Sequence, residues 1–120
     1  MANRIMAILA IAFAFVVTQL NADPIFTIDD GALTFIDLNG ATEVTIPDEV
    51  TSISAGAVQY PHSFEISRIT IPNSVTNIAG YAFSGCRNMT QVSIGSGVIS
   101  IGESAFGGCI SICEFYNSVR

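Results

Sequence analysis

Three cysteines, one histidine and ten carboxylates are the residues of this 120-residue chain best suited to chemistry. Cys86 and Cys109 stand 23 residues apart. If the chain stacks residues at that interval, their Cα atoms come to about 5 Å, within disulfide range. The alternative is that cysteine serves at both places as a small buried residue. Cys113 makes the count odd, so it remains a free thiol or bonds Cys109 in a rearranged end. His62 follows Tyr60-Pro61 and reads as a solvent-facing loop residue. The chain has no lysine, and no nucleophile–base pair stands at a supporting spacing, so we expect no enzyme. Asp29-Asp30 offers too few oxygen ligands at loop spacing for calcium. His62 is remote from the cysteines, so neither a metal site nor a cofactor is expected. Asn88-Met89-Thr90 is the sole N-glycosylation acceptor sequence. Met89 should point inward, which leaves Asn88 exposed.

The elements that would position these residues follow from a repeat. "ITIPNSVTNIAGYAFSGC" at 69–86 returns as "VSIGSGVISIGESAFGGC" at 92–109. Glu43-Val44-Thr45-Ile46-Pro47 opens a first copy, Arg68-Ile69-Thr70-Ile71-Pro72 a second, and Gln91-Val92-Ser93-Ile94-Gly95 a third. A fourth starts at Glu114-Phe115-Tyr116. Successive openings are offset by 25, 23 and 23 residues. Periods of about 20–50 residues point to stacked arrays.

The matched positions Ile71/Ile94, Val75/Val98, Ile78/Ile101, Ala82/Ala105, Phe83/Phe106, Gly85/Gly108 and Cys86/Cys109 are apolar or small. Others change freely, as from Tyr81 to Ser104. The four-three-four spacing of Ile71, Val75, Ile78 and Ala82 also fits one face of a helix. Pro72 and Gly80 oppose that helix, as does the wealth of Ile, Val, Thr, Ser and Asn. The reading is therefore a coil of short extended pieces. Pro72-Asn73-Ser74 turns the chain, and Tyr81-Ala82-Phe83 makes a tight corner as one 3₁₀ turn. One coil buries too little to offset its ordering entropy, so neighbours must share an interior. Phe83 should then sit on Phe106, and Ile71 between Ile46 and Ile94. In the first copy, Val58 and Ser63 replace the corner Phe and the Cys. Gln59-Tyr60-Pro61-His62 bulges by two residues there, and Phe64 or Tyr60 should refill the void. Gly95-Ser96-Gly97 is a turn within a coil, with no helix after it to cradle phosphate.

These copies resemble the BspA-type leucine-rich repeat family, whose units read I-x-I-P-x-x-V-x-x-I-x-x-x-A-F-x-x-C. The resemblance covers residues 43 to 120. It implies a mostly β, short right-handed leucine-rich solenoid, secreted or at the cell surface, engaged in binding or adhesion. It implies no shared catalytic site. The outward columns Thr45, Thr70, Ser93, Tyr116 and Glu43, Arg68, Gln91, Glu114 lie on the face such repeats use for recognition. The expected partner is a protein or cell-surface ligand. The competing reading is a truncated member of a repeat array with a structural role or no independent function.

Residues 24–42 do not match the repeat. Ile25 to Ile28 and Ala32 to Ile36 alternate around Asp29-Asp30-Gly31, a hairpin signal. We expect an N-terminal β-hairpin cap over residues 23–42, followed by coils 43–67, 68–90, 91–113 and an incomplete coil 114–120. The chain stops within that last coil, which suggests a truncated product, end-to-end self-association or an exposed edge. Phe115 and Val119 would cover the third coil only in part. Ahead of the cap, Arg4 precedes the unbroken apolar run Ile5–Val17, and Ala22 closes the segment. That is the layout of a signal peptide helix over 1–22, with no membrane span after its removal. Three arginines then face ten acids, a balance of −7 that repels nucleic acid.

Overall fold

The computed structural model describes residues 23–59 and 62–117. The expected signal peptide, Tyr60, Pro61 and Val119 lie outside these. The described residues are mostly β with no α-helix. The strands are β1 (Ile25–Asp29), β2 (Ala32–Asp37), β3 (Glu43–Thr45), β4 (Ser52–Ile53), β5 (Arg68–Ile71), β6 (Asn77–Ile78), β7 (Gln91–Ile94), β8 (Ser100–Ile101) and β9 (Glu114–Asn117). The helical alternative for Ile71 to Ala82 is excluded: Asn77–Ile78 is a strand, flanked by turns.

Among the described residues the strands form two sheets, ordered β1-β2-β4-β6-β8 and β3-β5-β7-β9. All pairings are parallel except the hairpin β1–β2. In the second sheet Val44 pairs with Ile69 and Ile69 with Val92, while Ile71 pairs with Ile94. In the first, Leu33, Ile53, Ile78 and Ile101 fall in one line. The shared interior lies between the sheets. It holds Val44, Ile46, Ile53, Ile69, Ile71, Ile78 and Val92, each at most 1% exposed. Burying one such side chain contributes about 1.5–3 kcal/mol, which each copy gains only through its neighbours.

Turns join the sheets. Val50 N–H donates to the Pro47 carbonyl and Val75 N–H to that of Pro72, so each Pro opens a tight turn. The corner at Tyr81–Phe83 is a run of hydrogen-bonded turns rather than the expected 3₁₀ turn. The described 3₁₀ turn is His62–Phe64, in the first-copy bulge. The corner has a recurrent backbone signature. Gly56, Tyr81 and Ser104, one per copy, have φ of 70°, 61° and 55°. The left-handed requirement is therefore a property of the fold at that place, met without glycine in the two later copies.

The hairpin turns through Asp30 and Gly31, with φ of 52° and 85°, as its Asp-Gly signature requires. Its second strand does more than cap. The Ile36 amide donates to the Ala57 carbonyl (2.9 Å), as Val58 does to Ala82 and Phe83 to Ala105. Ile36 thus stands in the column of Val58, Phe83 and Phe106, and the repeat's interior begins before residue 43. Ala41 likewise heads the line continued by Ile66, Met89 and Ile112 (the Ala41 amide donates to Leu38 as Met89 does to Cys86).

Phe64 does not refill the first copy. Its side chain is 39% exposed, whereas Val58, Ser63 and Ile66 are buried. The extra residues are absorbed before Ser63, after which the 23-residue interval is restored. Phe64 then occupies the outward place that Arg87 and Ile110 hold in the later copies.

Candidate functional site

The outward face of β3-β5-β7-β9 is built by alternation. Val44, Ile69 and Val92 point inward, so Glu43, Thr45, Arg68, Thr70, Gln91 and Ser93 point outward. Register sets them in two columns: Glu43, Arg68, Gln91, Glu114, and Thr45, Thr70, Ser93, Tyr116. Within the first column Arg68 meets Glu43 at 3.7 Å, both half exposed or more, and Gln91 donates to Glu114. The pairs leave a polar, near-neutral strip on an acidic chain. An exposed pair of this kind is worth about 0–1 kcal/mol, so it adds little to stability. Thr70 and Ser93 are half-buried, and Thr45 is exposed.

Several polar side chains outside the sheets tie copies together. Ser74 Oγ donates to the Val50 carbonyl (2.8 Å), Thr90 Oγ1 to Ser67 (3.3 Å) and Asn88 Nδ2 to Phe64 (2.7 Å). Asn88 is exposed, but its amide nitrogen is already engaged by this bond.

A second outward feature escaped sequence reasoning. The Arg87 guanidinium lies over the Phe64 ring, 5.6 Å from its centroid, and Ile110 follows, 78% exposed. Beside them Tyr81, Ser84 and Ser104 line a shallow open groove. The signal was present: Ile66, Met89 and Ile112 recur at an interval of 23, and two residues before them stand Phe64, Arg87 and Ile110.

The structure sets Cys86 and Cys109 in one column as free thiols, Cys86 buried and Cys109 half-buried, so that a Cys109 thiolate accepts a hydrogen bond from the Cys86 thiol. Accepting that bond, helped by the backbone of Cys86 and opposed by burial, lowers the Cys109 thiol to about 7. Donating it, together with burial and the neighbouring charge, pushes Cys86 upward. As a thiol, Cys109 donates to the Phe83 carbonyl (3.2 Å); as a thiolate it accepts from Cys86. Cys113 is exposed, its sulfur 3.7 Å from the Thr90 carbonyl oxygen. Asp29 and Asp30 belong to the hairpin and its turn. Among the described residues no three metal-ligating side chains converge, and no helix is long and apolar enough to cross a membrane.

Parallel ladders at a fixed interval, with isoleucine and valine columns between them, define a leucine-rich repeat protein. Residues 22–118 match the model of the BspA type leucine rich repeat region, and the chain belongs to that family. Among solved structures it is similar to a leucine rich cell surface protein from Faecalibacterium prausnitzii, with a TM-score of 0.59 and 23% identity. The likeness covers 76% of this chain and 27% of that one, and it shows the fold. No curated protein matches the chain.

Proposed function

We propose that the chain winds as a short right-handed solenoid at the cell surface or outside the cell. There it acts as a non-enzymatic module for binding or adhesion to a protein or cell-surface ligand. The observation that carries this reading is the register of the outward β3-β5-β7-β9 columns, a regular polar strip whose Arg68 and Gln91 are each paired within it. Such a surface presents hydrogen-bonding groups at about 4.8 Å steps on a rigid support. Family membership and the fold shared with a cell-surface protein support the location.

The test is adhesion of beads coated with the full chain to cultured cells and to immobilised matrix glycoproteins. Arg68→Glu and Ser93→Lys should abolish attachment, whereas Asn77→Lys on the other sheet should not. Equal attachment by all three variants, or none by the parent, would sink the reading. A second reading, a segment of a repeat array with structural or no independent function, draws on the chain's spanning 27% of its structural neighbour.

A further inference from the structure

We propose that Cys86 and Cys109 form a reactive dithiol that closes, by exchange with an external small-molecule disulfide, into a bond joining two successive copies of the repeat. The geometry comes from the stack. Gly85 N–H donates to the Gly107 carbonyl (2.7 Å), and the Cβ direction of Gly108 passes 3.5 Å from Gly85 Cα. The backbones entering the two cysteines are thus immediate neighbours, and hydrogen-bonded backbones stacked in this way lie about 4.8 Å apart, inside the Cα separation that disulfides span.

Exposure divides the roles. Cys109 is half-buried, so a solute reaches it, while Cys86 is 0% exposed within the core. The thiolate favoured at Cys109 is the nucleophile. It attacks one sulfur of the external disulfide, whose S–S bond breaks, and a thiolate leaves and takes a proton from water. The mixed disulfide on Cys109 is then attacked by Cys86, whose proton passes to the departing second thiolate. Two protein thiols are oxidised, and one external disulfide is reduced to two thiols. Cys113 stands outside this pair, its sulfur 3.7 Å from the carbonyl oxygen of Thr90, the residue before β7.

The chain allows a clean test. Trypsin cuts after Arg68 and Arg87, which places Cys86 on 69–87 and both Cys109 and Cys113 on 88–120. The reduced full chain is incubated with oxidised glutathione near neutral pH, quenched with acid, digested and weighed. The expected result is loss of two hydrogens, with 69–87 joined to 88–120 in the parent and in Cys113→Ser alike. Cys86→Ser should stop with glutathione held on Cys109. In urea the preference for the Cys86 bond should vanish, which ties it to the fold. Unjoined peptides in Cys113→Ser, a bond confined to 88–120 in the parent, or glutathione held on Cys113 alone would overturn the proposal.

Discussion

Phe83 and Phe106 stack with ring centroids 5.3 Å apart and planes inclined by 15°. Phe83 lies between Val58 and Phe106 and is fully buried, whereas Phe106 is half-buried. Phe83→Ala should therefore cost about 3–5 kcal/mol in urea unfolding. Phe106→Ala should cost less, and the outward Phe64→Ala no more than about 1 kcal/mol. A Phe64 variant as damaging as Phe83→Ala would contradict the register assigned after the bulge.

The left-handed corner can be relaxed. Ser104 holds φ of 55° where the first copy has Gly56. Ser104→Gly removes a strain of about 1–2 kcal/mol and returns part of it as unfolded-chain entropy. A net gain of about 0.5–1 kcal/mol in thermal or urea unfolding is expected, and Ser104→Val should lose stability.

Gly95 stands where the family carries proline, and the stack leaves no room for a side chain. A Cβ there would fall 2.5 Å from the Pro72 carbonyl carbon and 2.6 Å from the Asn73 nitrogen. Both obstacles are backbone, so the coils must part. Gly95→Ala should lower stability by about 1–3 kcal/mol. An unchanged urea midpoint would show that the second and third turns are not so closely apposed.

The reduced protein should gain stability as pH rises from about 7 towards 9 and lose it above. Cys109 is lowered from 9.0 to about 7 in the fold, so between these values the unfolded chain holds a proton that the native one has released. Above 9 the unfolded Cys86 ionises while the buried native thiol, raised in pKa, stays protonated. Urea midpoints taken across this range under reductant should show the maximum, and Cys109→Ser should flatten the rise.

Most of the architecture was legible in the sequence because identical intervals force identical partners. Ile71 against Ile94 and Phe83 against Phe106 follow from the 23-residue spacing once the inward positions alternate. Ile36 was hidden because the hairpin reaches its column at another spacing: Leu33 pairs with Ile53, only 20 residues on. Phe64 was misread for a related reason. The smaller Val58 and Ser63 suggest a void for a nearby aromatic to fill, but with Ser63 in line with Cys86 the next residue, Phe64, falls in the outward line of Arg87. The strands of the candidate surface could be placed from alternation alone. The groove beside Tyr81 could not, since it depends on a left-handed corner that residue types at Tyr81 and Ser104 do not announce.

The restored interval after Ser63 has an evolutionary corollary. Each turn meets those above and below through the same lines of contacts, so a whole turn is interchangeable currency for recombination. Excising 68–90 in frame would bring Ser67 directly before Gln91 and set Val44 beside Val92, apolar against apolar, with Glu43 beside Gln91. A gene of this form can lengthen or shorten by unequal crossing-over while every intermediate product still closes its interior.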